Sequence, residues 1–432
     1  MPTTLELARR GEATAAVRRV ARQENVTEDQ LLEELAQGRA VVLASRQRPH
    51  CRPVGIGRIL RTKVSASVGM FGTTASMEAE WEKVHAALSA GTDTLMDLSV
   101  SGNIDALYRK ILLRTNLPLG TLPLYQALAM AREKYGHPAA MTVEDLFAVI
   151  EQQAREGVDF IAVHAGVTQQ VLDRARRDGR QEMLVSFGGS HLIGWMALNQ
   201  QENPLYVLYD RLLDICRQYD TTIALADAFR PGCLDDSLDG PQVQELIVLG
   251  ELVRRARQAG VQIMVKGPGH VPLHHLSATV TLQKRLCHGA PYFVFGPVVT
   301  DISPGYDHIS AAIGGALSAL AGAEFLCYVT EAEHLSLPDA RQVHEGVIAA
   351  RIAAHAADLA RGLPGAADWD NELSRARKNM EWEKQIALAI DPERARRQRQ
   401  KTSADSPACA MCGKYCAMQV IAQYLNTPVH SC

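Results

Sequence analysis

A (β/α)8 barrel of the α/β class is the fold this sequence predicts, on three observations. From residue 63 onward, short apolar runs rich in strand-forming residues recur at intervals of roughly 25 to 40 residues. The text between them carries helical periodicity, as repeated βα units do. The runs number eight: Lys63 to Val68, Thr94 to Leu98, Leu119 to Leu124, Phe160 to His164, Met183 to Phe187, Thr222 to Ala226, Gln262 to Lys266 and Tyr292 to Phe295. Eight buried parallel strands close a barrel whose functional groups stand at the C-terminal strand ends.

Ahead of the barrel, residues 1–60 read as a small helical and irregular region. Two amphipathic helices are expected within residues 1–38, the second opened by Thr27 with Gln30 three positions on, a reciprocal capping pattern. A strand from Val41 to Ala44 follows, then Pro- and Gly-bearing irregular text to Leu60. Residues 61–340 form the catalytic barrel, and 341–392 a C-terminal helical segment. That segment holds one helix from Glu345 to Arg361, stopped by Gly362 and Pro364, and another from Asn371 to Ile390, ending at Asp391-Pro392. Residues 393–432 are a tail in which 393–407, rich in Arg and Gln and then in Ser and Asp, read as a tether.

Composition narrows the function classes. A net charge of -3 gives no basic face for nucleic acid, and the Arg-rich text from Arg174 to Arg180 reads as a solvated helix face. No apolar run approaches the roughly 18 residues of a membrane span, and an N-terminus bearing Glu6 and Arg9-Arg10 is no signal peptide. A cytoplasmic protein is expected, with reduced thiols, because nine cysteines in 432 residues are too sparse for a disulfide framework.

Chemistry-bearing residues cluster at the expected strand ends: Ser67, Met96 with Asp97, Tyr125, His164, Ser186 with Gly188 and Gly189, Asp227 with Arg230, Lys266 with His270, and Phe293. Such convergence on one rim makes a pocket the default expectation. Gly188-Gly189-Ser190 and Arg230-Pro231-Gly232 offer backbone N–H groups and a guanidinium suited to phosphate, and read equally as tight turns. His270 and His334, on rim loops, can supply half of a metal site.

The tail holds Cys409-Ala-Met-Cys412-Gly-Lys-Tyr-Cys416. Three thiolates on a short loop can hold three corners of a 4Fe-4S cluster and leave one iron open, or form a zinc knuckle completed by His430 or Cys432. A cluster on a tether docks on an open barrel rim, its own or that of a neighbouring subunit.

With barrel and tail both in view, residues 60–420 resemble the phosphomethylpyrimidine synthase family of radical enzymes. The resemblance rests on Met96-Asp97-Leu98-Ser99, Gly120-Thr121-Leu122-Pro123-Leu124-Tyr125-Gln126-Ala127, Gly267-Pro268-Gly269-His270-Val271-Pro272, Thr300-Asp301-Ile302-Ser303-Pro304-Gly305-Tyr306-Asp307-His308, Leu326-Cys327-Tyr328-Val329-Thr330, Ala353-Ala354-His355-Ala356-Ala357-Asp358-Leu359-Ala360 and the terminal cysteines. It implies a 4Fe-4S cluster on Cys409, Cys412 and Cys416, with S-adenosylmethionine on the open iron. It also implies a 5'-deoxyadenosyl radical acting on 5-aminoimidazole ribotide, and a second metal ion, zinc or another divalent ion, on His270 and His334. Substrate contacts are implied for Met96, Tyr125, His164, Ser186, Gly188, Asp227 and Arg230. An electron donor such as flavodoxin or ferredoxin and a homodimeric state are implied as well, and no single catalytic residue is assigned.

The departures are chemical. Where the family's pyrimidine synthases carry Asn-Ala-Asn, this chain has Ser65-Ala66-Ser67; their Ser-Arg-Gly-Gly is Ser186-Phe187-Gly188-Gly189, and their Asp-Gly-Leu-Arg is Asp227-Ala228-Phe229-Arg230. A substrate-binding Glu is replaced by Lys266, and a Tyr by Phe293. Losing an amide, a guanidinium and a carboxylate removes charge-assisted contacts of roughly 1.5–3 kcal/mol each. Phe187, Ala228 and Phe229 are expected to add apolar bulk to the pocket. By elimination these changes imply the paralogue that forms 5-hydroxybenzimidazole, a lower-ligand precursor in anaerobic cobalamin biosynthesis, rather than the pyrimidine synthase of thiamin biosynthesis.

Overall fold

The computed structural model describes residues 1–72, 76–401, 415 and 417–425. Ten strands lie in two sheets: β1 (Ala40–Leu43), β2 (Val54–Gly57), β3 (Lys63–Val68), β4 (Thr94–Asp97), β5 (Leu119–Thr121), β6 (Phe160–Val163), β7 (Thr222–Ala226), β8 (Ile263–Lys266), β9 (Tyr292–Phe295) and β10 (Phe325–Cys327). β1 and β2 pair antiparallel, whereas β3 to β10 form a closed barrel of eight parallel strands in sequence order, β10 returning to β3. The predicted (β/α)8 class is the fold observed.

Two strand assignments change. Met183 to Phe187 is not a strand: Met183 and Val185 are 44% and 40% exposed, and Ser186 caps the helix Phe187–Asn199 by accepting from the Gly189 N–H. A five-residue apolar run reads alike as a buried strand or as the approach to a helix. The strand that completes the barrel is β10, which pairs Phe325 with both Lys63 and Phe293. At three residues it falls below any useful periodicity window.

The barrel interior is filled by rings. Phe293 stacks on Phe325 with centroids 3.9 Å apart, and Phe160 meets Phe325 edge-on at 6.4 Å. Gly120 faces this layer because a Cβ there would lie 2.2 Å from the Phe160 ring.

Three helices, rather than two, open the chain: Thr4–Arg9, Ala15–Gln23 and Glu28–Ala36. Gly11, at φ +74°, separates the first two, and Thr27 and Gln30 cap each other as the sequence predicts. Val17, Val20, Leu31, Leu35, Val42 and Leu60 bury their side chains together, so this region carries its own small core. Arg48 ties it to the barrel: buried, it donates to the carbonyls of Leu112, Thr115 and Leu117 and pairs with Asp159 at 2.9 Å.

The C-terminal text is also more broken than predicted. After the helix Ala340–Ala360 come Ala366–Lys378 and Trp382–Leu388, divided where Met380 takes a positive φ of 58°. The expected tether begins instead as a helix, Pro392–Gln400, whose first turn Asp391 caps by accepting from the Arg394 N–H at 2.9 Å. The chain divides into two compact units, residues 1–361 and 362–432.

Candidate active site

Strand ends in a parallel barrel point their last side chains at one mouth. His164, just past β6, is 2% exposed, with Nε2 3.0 Å from the Ser186 hydroxyl. That hydroxyl also accepts from the Gly189 N–H at 3.2 Å. Nδ1 is buried and has no hydrogen-bond partner among the described residues. Burial first, then the charges of Arg230 and Lys266, push the imidazole down to about 3, so it is neutral in the working range.

Gly188 lies flat against this histidine. A Cβ there would stand 2.4 Å from His164 Cε1, 2.7 Å from Nδ1 and 3.1 Å from Tyr125 Cε1. Burial pushes the Tyr125 phenol up, opposed by Arg230 and a Gly188 backbone hydrogen bond. The Tyr125 ring meets Phe187 edge-on at 4.9 Å.

Asp227 and Arg230 share a turn held from beneath. Glu245, wholly buried, accepts from the Ala228 and Phe229 N–H groups at 2.9 and 2.7 Å, and Arg180 donates to the Phe229 carbonyl at 3.0 Å. Arg230 donates to the Asp227 carbonyl at 3.0 Å, and its guanidinium lies 5.6 Å from the Phe295 ring centroid. Burial pushes Asp227 up to about 6 against the pull of Arg230 and Lys266. Its carboxylate occupies the space a Cβ at Gly267 would need, 1.8 Å away, so the residue after Lys266 must be glycine. Glu245 goes higher, to about 8, through burial and then the Asp227 charge.

The Lys266 ammonium sits 4.7 Å from the centroids of both Phe293 and Phe295. Burial lowers its pKa, Arg230 adds to that, and Cys327, Asp227 and Glu333 oppose it. The structure thus brings Tyr125, His164, Ser186, Gly188, Asp227, Arg230 and Lys266 to one electrostatically coupled mouth, with Met96 buried on β4 beside Ser67 on β3.

The expected apolar bulk is only partly there. Phe293 is fully buried and belongs to the ring layer beneath the mouth, and the rim aromatic of β9 is Phe295. Phe229 is likewise fully buried, under the Arg180 guanidinium at 5.9 Å, while Ala228 packs toward Gly189. Of the three substitutions, only Phe187 adds its ring to the rim.

Sequence reasoning missed a second group. A cavity of about 210 Å³ is lined by Ser67, Phe295, Cys327, Thr330, Glu333 and His334, among others. Cys327 Sγ lies 3.8 Å from Ser67 Oγ, and Thr330 Oγ1 is buried without a partner among the described residues. The missed strand β10 hid Cys327, and residue order alone gave no signal for Glu333 or Glu245.

His270 and His334 come together as a pair, Nε2 to Nε2 at 3.2 Å. Each Nδ1 turns to a carboxylate, Asp301 at 2.7 Å and Asp307 at 3.2 Å. A carboxylate behind each imidazole leaves Nε2 as the outward lone pair, the arrangement of metal-binding histidines. His334 holds a left-handed φ of 63° to reach its partner. No third His, Cys, Asp or Glu joins the pair among the described residues.

Cys409, Cys412 and Cys416 lie outside the described residues. Among the described residues the cysteines are Cys51, Cys216, Cys233, Cys287 and Cys327, and all but Cys233 are buried. Burial pushes the thiols of Cys51 and Cys287 up to about 12, which disfavours the thiolate a metal needs.

A family model described as the radical SAM ThiC family matches residues 3–423. The chain belongs to that family. Among its relatives, a 5-hydroxybenzimidazole synthase BzaA of Moorella thermoacetica is 62% identical over 429 residues, covering 99% of each chain. A phosphomethylpyrimidine synthase of the same organism is 55% identical over 431 residues, covering 100% of each, and a BzaA of Eubacterium limosum is 53% identical over 425, covering 98% of this chain and 99% of that one. Membership in the radical SAM ThiC family makes this an enzyme that uses S-adenosylmethionine and a 4Fe-4S cluster. No helix among the described residues is long and apolar enough to cross a membrane.

Proposed function

We propose that this chain converts 5-aminoimidazole ribotide to 5-hydroxybenzimidazole. The carrying observation is the grading of its relatives: over full length, identity to a protein named 5-hydroxybenzimidazole synthase exceeds identity to a phosphomethylpyrimidine synthase of the same organism. The mouth supports the reading, since Lys266 stands among Arg230, Asp227 and Glu333 as a half-buried amine where the family's pyrimidine synthases place a carboxylate.

In this reading Cys409, Cys412 and Cys416 hold the cluster, and the donor set fits: three closely spaced thiols remain once the buried ones are set aside. When bound, the cluster supplies the electron that cleaves S-adenosylmethionine. The protein's own groups bind and orient. Arg230 is suited to the phosphate, and neutral His164 offers a hydrogen bond without adding charge. Ser67, Met96, Tyr125, Ser186 and Asp227 complete the substrate contacts, Lys266 offsets negative charge, and the ring layer under it closes the floor to water.

His270 and His334 fit a divalent cation such as zinc. Two neutral imidazoles, each giving Nδ1–H to a carboxylate, set their Nε2 lone pairs against each other at 3.2 Å unless a proton or cation intervenes. A homodimer is supported by the helix Asp307–Ala321, which has no charged residue after Asp307 apart from the ionisable His308 and exposes Ile309, Ile313, Leu317 and Leu320 along one stripe. Reduced thiols and an oxidisable cluster support a cytoplasmic reading.

The test is an anaerobic reaction of the reconstituted protein with 5-aminoimidazole ribotide, S-adenosylmethionine and a strong reductant, products being identified by mass. 5-Hydroxybenzimidazole is expected. Hydroxymethylpyrimidine phosphate instead would make this a phosphomethylpyrimidine synthase. 5'-Deoxyadenosine alone would mean that a protein partner or another substrate is missing.

A further inference from the structure

A further cavity lies at the end of the barrel away from the mouth. It holds about 490 Å³, within the range of small-molecule sites, and is walled by the first two helices and by the loop that joins β1 to β2. Asp220, in its wall, stands two residues before β7, which puts the space at the N-terminal strand ends.

The loop wall is preformed. The Ser45 N–H donates to Asp159 at 2.8 Å, the Arg52 N–H to the Asn116 carbonyl at 2.6 Å, and Arg48 is held by three carbonyls and Asp159. Pro49 and Pro53 fix two more backbone angles. Small side chains keep the space open: Ala15 and Ala16 line it from the second helix and Ala44 from the end of β1, with Leu7, Pro49 and Pro53 completing an apolar surface.

The charges of the wall are spent within the protein, with one exception. Asp220 accepts from the Thr4 N–H and hydroxyl at 3.0 and 2.8 Å and from Arg46 at 3.0 Å, and Arg48 pairs with Asp159 at 2.9 Å. Arg19, one turn on from Ala15 and Ala16 on the same helix face, has no ion pair or hydrogen bond among the described residues. Its charge reaches the loop wall: burial and then the Asp159 charge push the Cys51 thiol up, and Arg48, Arg52 and Arg19 oppose that shift.

An apolar chamber with one unpaired guanidinium at its edge calls for a ligand with an apolar body and one negative charge. A carboxylate meets arginine bidentately, whereas the second charge of a dianion would find Arg46 and Arg48 already paired. We infer that this cavity is a binding site for a small apolar monocarboxylic acid, held by Arg19 and separate from the mouth. Its loop wall also braces the approach to β5 and β6 through Arg48, so an occupied site holds the N-terminal region against the barrel.

The experiment titrates 1-naphthoate into the full-length protein by anaerobic calorimetry, with its neutral isostere 1-naphthamide as the comparison. One-site binding of naphthoate with a Kd of about 1 mM or tighter is expected, and roughly tenfold weaker binding of the amide. Arg19→Gln should weaken naphthoate roughly tenfold and leave the amide unchanged. Ala15→Phe, at an exposed helix position, fills the chamber and should abolish binding of both. At roughly tenfold excess over Kd, naphthoate should raise the wild-type Tm by about 2 °C and that of Ala15→Phe not at all. The unliganded Tm of each variant, within about 1 °C of the wild type, shows the fold intact. Absence of saturable naphthoate binding to the wild type overturns the inference. So does an Arg19→Gln variant that binds naphthoate as tightly as the wild type, or binding that survives Ala15→Phe, which would put the ligand elsewhere on the protein.

Discussion

Gly188→Ala and Gly194→Ala, two identical changes in one helix, should have opposite effects. At Gly194, an exposed interior position, an added Cβ meets nothing within 4 Å, so alanine helps by about 0.5–1 kcal/mol through helix propensity. At Gly188 the same atom meets His164 at 2.4 and 2.7 Å, and that ring is buried and pinned by Ser186 at 3.0 Å. Relief to an ordinary contact of about 3.5 Å requires roughly 1 Å of movement, and overpacking of this kind costs about 1–3 kcal/mol. With an unfolding entropy of roughly 2.1 cal/mol/K per residue over a 361-residue unit, each kcal/mol is worth about 1.3 °C. Anaerobic thermal unfolding should therefore show Gly188→Ala down by about 1–4 °C and Gly194→Ala up by about 1 °C. Product formation should separate them further: a displacement of about 1 Å in a positioning group can cost on the order of 100-fold, so Gly188→Ala loses turnover while Gly194→Ala keeps it. Equal Tm shifts with full turnover in both would refute the claim that Gly188 sets the position of His164.

Lys266→Glu puts a third carboxylate beside Asp227 and Glu333 and removes the cation over Phe293 and Phe295. Its formation of 5-hydroxybenzimidazole should fall at least tenfold, and an unchanged product and rate would show that this charge does not govern the reaction. Cys412→Ala should lose iron and the broad absorbance of a thiolate-ligated cluster and form no 5'-deoxyadenosine, and normal formation would sink the cluster assignment. Glu245 makes a prediction about pH. Its folded pKa, about 8, exceeds the unfolded value near 4.5, so between these pH values the native state keeps a proton that the unfolded state releases. Stability then falls as pH rises through that window, by up to roughly 1.4 kcal/mol per unit. Glu245→Gln should flatten that slope in unfolding titrations while lowering stability by about 1–3 kcal/mol, because its amide nitrogen faces a backbone N–H; an unaltered slope would remove Glu245 as its source.

Local chemistry was legible wherever a signal is written in adjacent residues. The Thr27–Gln30 cap and seven of the eight barrel strands depend on spacings of a few positions, and the strand rhythm sufficed to fix the (β/α)8 class. Short elements escaped: β10 has three residues, and Met183 to Phe187 imitates a strand while leading into a helix. The expected tether carries a capped helix because Asp391-Pro392 is as good a helix start as it is a stop.

The sequence by itself placed most of the mouth residues on one rim, since strand ends in a parallel barrel share one face. Which way each points, and against what, only the tertiary structure decided. Phe229 adjoins Arg230 and Phe293 stands two residues before Phe295, yet both are buried beneath the mouth, because a turn can fold its ring inward and residues i and i+2 of a strand share a face one layer apart. Glu245 meets the 227–230 turn from a helix, and His334 meets His270 from 64 residues away. Such contacts depend on three-dimensional closure of the chain, and no window of sequence contains them.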